Sequence, residues 1–192
     1  RWSVGEESVE DVSHLGRPAT VARFSPTGEL VAVASDGEPA AVYRTADGSK
    51  TATLEGNSQA IWTLAFAPGG TILAAGGRDE DVNLFDPRDG ARLGALEGHS
   101  SPVHSLAFSP DGELLASGCR DLSIKIWDVP ARTERVTLKG HTGSVDCVAW
   151  SADGRTLLTG SSDQTARLWD VLPPRRFDAL SGHGDRIISL TF

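Results

Sequence analysis

The 192-residue chain has no methionine, one tyrosine and only two cysteines, Cys119 and Cys147. Two thiols so far apart make neither a close metal-ligand pair nor a disulfide framework, and they suit a reducing intracellular compartment. No apolar run approaches the ~18 residues that cross a bilayer, and no basic, apolar leader opens the chain. The sequence is therefore read as neither membrane-spanning nor secreted. Basic residues are in deficit, 18 against 26 acidic, and the net charge of -8 repels a phosphate backbone. Nucleic acid is not the expected partner. An apolar period of 3.6 sustained over a helix length is missing too, so helices should be near absent. What remains, 39% hydrophobic and 23% charged residues, is enough for a packed globular core.

The organising feature is a repeat. Phe24, Phe66, Phe108, Trp150 and Phe192 are spaced by 42 residues without a slip. Four of them precede a turn: Ser25-Pro26-Thr27-Gly28, Ala67-Pro68-Gly69-Gly70, Ser109-Pro110-Asp111-Gly112 and Ser151-Ala152-Asp153-Gly154. Pro and Gly suit these turn positions, so each is a hairpin connection. Gly98-His99, Gly140-His141 and Gly182-His183 keep the same spacing, as do Tyr43, Phe85, Trp127 and Trp169. Within one unit, Val103 to Phe108, Leu114 to Gly118, Ser123 to Trp127 and Arg135 to Lys139 carry short strand signals. Four short antiparallel strands per unit, repeated radially, predict an all-β propeller in which each sheet is one blade.

These residues resemble a WD40-repeat β-propeller: Gly-His, then Ser or Thr, then Asp, then Trp-Asp at fixed offsets. The runs Leu115-Ala116-Ser117-Gly118-Cys119-Arg120-Asp121 and Leu157-Leu158-Thr159-Gly160-Ser161-Ser162-Asp163 form the characteristic middles. The pattern is complete at 98–139 and 140–181. It is degenerate at 56–97, with Asn57, Ala75, Asp79 and Phe85, and at 13–55, with Leu15, Val33, Gly37 and Tyr43 in strict register or Ser13-His14 as the Gly-His equivalent one residue out of step. Residues 1–12, with Trp2-Ser3-Val4, read as the end of a preceding blade and 182–192 as the start of a further one. The resemblance implies a ring of about seven blades, so this stretch is expected to be an incomplete ring belonging to something longer. Uncovered end faces would favour self-association through open blade edges or continuation of the chain.

His99, Ser117 and Asp121, and again His141, Thr159 and Asp163, have the residue types of a nucleophile, base and orienter. A buried hydrogen-bond chain uses them better. Trp127 or Trp169 can only donate, the hydroxyl and the imidazole each donate and accept, and the carboxylate accepts. A structural device should recur in every unit, whereas an enzyme needs one set. The resemblance implies the same tetrads, and it also places a partner surface around the channel mouth. That surface falls on Trp62 and Arg78, His104 and Arg120, Asp146 and Ser162, and Arg186, with Ala60, Pro102, Ser144, Ile188, Pro18, Thr20 and Asp36 at related positions.

No metal-ligand spacing, cofactor fingerprint or isolated triad is present, so no cofactor is expected. The reading is a non-catalytic, intracellular scaffold for a protein or peptide partner, acidic if it meets the arginines. A regulatory propeller domain of a larger signalling enzyme is the alternative, and a propeller hydrolase is a third.

Overall fold

The computed structural model describes residues 18–57 and 59–171, together with the backbone of 176–180. Every regular element among them is a strand. The first sheet holds β1 (Ala19–Phe24), β2 (Leu30–Ser35), β3 (Glu38–Arg44) and β4 (Lys50–Leu54); the second β5 (Ile61–Phe66), β6 (Leu73–Gly77), β7 (Val82–Phe85) and β8 (Arg92–Leu96). The third holds β9 (Val103–Phe108), β10 (Leu114–Cys119), β11 (Ser123–Asp128) and β12 (Thr133–Lys139); the fourth β13 (Val145–Trp150), β14 (Thr156–Ser161), β15 (Ala166–Asp170) and β16 (Arg176–Leu180). Each sheet is an antiparallel meander in chain order, the architecture of a propeller blade.

The turn after the first strand fixes the register of each blade. Gly28 donates to Ser25 O at 2.9 Å with φ 72, a conformation open to glycine. The Ser25 hydroxyl meanwhile accepts from Leu30 N at 3.1 Å. Ser109 with Leu114 and Ser151 with Thr156 repeat that hydroxyl bond at 2.9 Å. Once the turn is set, pairing such as Leu115 opposite both Phe108 and Trp127 follows.

Alternation along the strands then feeds two interfaces at once. Phe85 joins Val42, Leu54 and Ile61 between the first and second blades, while Leu84 next to it joins Val103 and Trp127 between the second and third. Likewise Ile126 faces Val145 and Trp150 of the fourth blade, and Trp127 faces back. Full burial of side chains of this size contributes roughly 1.5–3 kcal/mol each. The periodic aromatics divide on the same logic. Phe66 and Phe108 pack against the preceding blade and Trp150 is buried there, whereas Phe24, at the start of the series, is 68% exposed.

The inner strands β1, β5, β9 and β13 lie side by side in sequence. Cross-blade bonds stitch them: Thr20 Oγ1 donates to Ile61 O at 3.0 Å and Trp150 Nε1 to Ala107 O at 3.0 Å. The expected segments at 1–12 and 182–192, with His183 and Arg186, lie outside the described residues, as does His14 of the first repeat.

Candidate functional site

In the third blade the Trp127 indole donates to Ser117 Oγ at 2.8 Å, and Ser117 Oγ lies 2.6 Å from His99 Nε2. His99 Nδ1 lies 2.8 Å from Asp121 Oδ2. A carboxylate only accepts, so Nδ1 carries the proton and Nε2 accepts from the serine hydroxyl. The fourth blade repeats the chain. Trp169 Nε1 meets Thr159 Oγ1 at 2.9 Å, Thr159 meets His141 Nε2 at 2.8 Å, and His141 Nδ1 meets Asp163 Oδ2 at 2.7 Å. Each aspartate also holds its own turn, Asp121 accepting from Ser123 N at 2.9 Å and Asp163 from Thr165 N at 2.9 Å.

Electrostatics follow from that burial. Desolvation lowers the pKa of His99 and His141 and keeps both rings neutral, although Asp121 and Asp163 pull the other way. Desolvation works to raise Asp121 and Asp163. Hydrogen bonds from Ser123 and His99, and from Thr165, Thr142 and His141, outweigh it and hold both well below the ordinary carboxylate range.

The hydroxyl, imidazole and carboxylate have the connectivity of a hydrolytic triad, but Ser117 and Thr159 are wholly buried and already accept from an indole. Neither oxygen can meet a substrate. His99, Cys119 and Asp121 also bring three potential metal-ligating atoms within 4.8 Å. His99 Nδ1 and Asp121 Oδ2 are bonded to each other, and burial pushes the Cys119 thiol up to about 12, so no thiolate is available near neutrality. Their mutual hydrogen bonds account for the cluster.

The second blade reaches the same end by other residues. Arg92 donates through Nε and a terminal nitrogen to Asn83 Oδ1, at 2.9 and 2.6 Å, and Asn83 in turn donates to Asn57 Oδ1. Asn83 and Arg92 were not among the residues singled out from sequence. The available signal was that they stand 42 positions before Lys125 and Glu134, which form an ion pair in the third blade.

Backbone bonds gather the loops at one end of the blades. Arg78 N donates to Ala60 O, Arg120 N to Pro102 O and Ser162 N to Ser144 O, at 2.9, 3.0 and 2.9 Å. The turns bearing Arg78, Arg120 and Ser162 therefore stand beside the entries to the inner strands, and all three residues are exposed. Near the start of the inner strands the equivalent residues of successive blades touch. Trp62, 39% exposed, meets the His104 ring edge-on at 5.4 Å. His104 Nδ1 bonds Asp146 Oδ1 at 3.0 Å, and Asp146, its side chain 2% exposed, also accepts from Ser144 Oγ at 3.1 Å. Sequence placed Trp62, His104 and Asp146 together on one surface; the structure leaves Trp62 open and turns Asp146 inward as a tie. A groove of about 290 Å³ adjoins this end between the first two blades, lined by Asp36, Glu38, Asn57, Gln59 and Arg78 among others. A larger one, about 510 Å³, lies at the opposite end among the turns around Thr27, Thr45 and Thr71, away from these residues.

The family description "WD domain, G-beta repeat" matches three consecutive stretches, 48–86, 90–128 and 132–170. The chain belongs to the WD40 family. Each matched WD40 stretch begins at the outer strand of one blade and ends with the third strand of the next: 48–86 contains β4 of the first sheet and β5 to β7 of the second. The bounds of the matched stretches are thus offset by one strand from the four-stranded sheets. No curated protein matches the chain. WD40 repeats in general mediate protein–protein interaction as non-catalytic scaffolds. No helix among the described residues is long and apolar enough to cross a membrane.

Proposed function

We propose that this WD40 chain is a non-catalytic interaction scaffold that takes an acidic peptide or protein segment at its channel mouth. The observation that carries the reading is Trp62, a large aromatic left open on a strand whose neighbouring side chains, Ile61 and Thr63, are buried. Trp and Arg are the residues that most often dominate interface energies, and Arg78 and Arg120 stand exposed in the turns at the same end. In a chain of net charge -8 these arginines run against the overall sign, which suits a negatively charged partner. The tetrads supply stiffness, so the surface is preorganised before the partner arrives. Two free buried thiols support an intracellular setting.

The reading is tested by panning short random peptides displayed on phage against the protein. Acidic binders should emerge whose affinity falls at least tenfold in Arg120→Glu and, separately, in Trp62→Ala, with melting unchanged. Absence of any such binder, or binders indifferent to both changes, would overturn it. A regulatory domain within a larger signalling enzyme would use the same surface, and full-length flanking sequence distinguishes that arrangement from a free-standing scaffold.

A second reading rests on Phe24, whose exposure at the first blade supports self-association through an open blade face. Sedimentation should then show concentration-dependent assembly that Phe24→Ser abolishes. A monomer at all concentrations contradicts it.

A further inference from the structure

Leu122 closes the turn between β10 and β11 with its N–H donating to Cys119 O at 3.3 Å, and its φ is 71. A left-handed residue after such a turn is the place where glycine is favoured, and a bulky side chain there is strained. The chain meets the same demand with glycine elsewhere: Gly37 in the corresponding turn of the first blade, and Gly28, Gly70, Gly112 and Gly154 after the inner strands. The equivalent turn of the fourth blade uses Gln164, a polar and exposed residue at φ 68. Among the described non-glycine residues in the left-handed region, Leu122, Arg132 at φ 55 and Gln164, Leu122 is the one with an apolar side chain. It is 42% exposed and takes no part in the apolar clusters between blades, so neither packing nor backbone geometry accounts for it.

Its position does. Leu122 shares its turn with Arg120, whose N–H is bonded to Pro102 O, and Pro102 leads two residues on to His104, the ring that Trp62 contacts. We infer that Leu122 is an apolar anchor of the partner surface, and that the segment bound there is an extended acidic peptide carrying an apolar side chain to set against it. This rests on the interaction reading above and adds the partner's second requirement. Acidic groups alone would be served by Arg120, whereas a strained, solvent-facing leucine beside it is explained by an apolar group arriving from outside. Strain kept at a binding site is a recognised pattern.

The test uses Leu122→Gly and Leu122→Asn, both of which accept the left-handed conformation, with a synthetic copy of a phage-selected peptide as the probe. Melting should hold or rise as the strain is relieved, while affinity for the peptide falls about tenfold. Selected peptides should pair an acidic residue with an apolar one. A melting temperature lowered by several degrees with affinity retained would make Leu122 a packing residue and overturn the inference. If the peptide loses affinity in Arg120→Glu but not in either Leu122 variant, the anchor falls and the interaction surface stands. If it is insensitive to Arg120→Glu and Trp62→Ala as well, both fall together.

Discussion

His104 Nδ1 lies 3.0 Å from Asp146 Oδ1, and the two residues hold the same place in consecutive blades, 42 positions apart. A contact between repeat equivalents couples the third and fourth blades directly near the start of their inner strands. Asp146→Ala removes the acceptor of both the His104 ring and the Ser144 hydroxyl. Leaving such groups unpaired costs about 1–3 kcal/mol, so thermal melting should fall by several degrees. The double variant with His104→Ala should lose less than the sum of the single changes, because they share one interaction.

Acid should weaken the fold through the tetrads. The folded pKa values of His99 and His141 lie below the unfolded ones because burial disfavours their charge, and Asp121 and Asp163 are held low by hydrogen bonds. In both cases the unfolded chain binds more protons, so stability is fully present above about pH 6.5 and is lost as pH falls, first through the histidines and then below about pH 4 through the carboxylates. Melting followed from neutrality downward checks this, and His141→Gln should flatten the first step.

Alkali acts through Cys119, whose thiol burial pushes up to about 12. The unfolded thiol ionises near pH 8.5, so stability present below that value should decline as pH rises above it. Cys119→Ala should flatten the alkaline limb, and iodoacetamide should label the native protein far more slowly than the unfolded one.

Gly118 sets the distance between the third and fourth blades. A Cβ there would stand 2.8 Å from Val145 Cγ1 and 3.1 Å from Val145 O. Gly118→Ala should therefore force the blades apart at about 1–3 kcal/mol, the usual range for overpacking. Adding Val145→Ala should restore part of the melting temperature; no recovery would mean that the clash is not the cause.

Arg92→Met strips both donors from Asn83 Oδ1 in the second blade. A loss of about 1–3 kcal/mol is expected, comparable to a tetrad substitution in the third blade. An unchanged melting curve would show that the second blade does without its network.

Much of this was legible in the sequence because a strict period does the work of an alignment. Phe66, Phe108 and Trp150 mark the inner strands, and the Gly28, Gly70, Gly112 and Gly154 turns mark their ends, so the strands located in the third unit carry over to the others in one register. The tetrad residues could be paired by donor and acceptor chemistry alone. Asn83 and Arg92 escaped because each looks like an ordinary strand polar residue, and only cross-strand register brings them together. From sequence Asp146 belongs to the surface set. Its burial depends on His104 arriving from the adjacent blade, a contact set by blade packing. Leu122 escaped because a backbone φ is not written in a residue name, and a leucine gives no hint of a left-handed turn.

The central claim is that the tetrads serve stability and the channel-mouth turns serve binding, and one paired measurement tests it: thermal melting and affinity for a selected acidic peptide in Asp163→Ala and Arg120→Glu. Asp163→Ala strands His141 Nδ1 and the amides of Thr142 and Thr165. It should cost about 1–3 kcal/mol while the protein that remains folded still binds. Arg120→Glu, on an exposed turn, should shift stability by only about 0.5 kcal/mol and lower affinity at least tenfold. Unfolding by Arg120→Glu, with Asp163→Ala melting like the parent, would contradict the account.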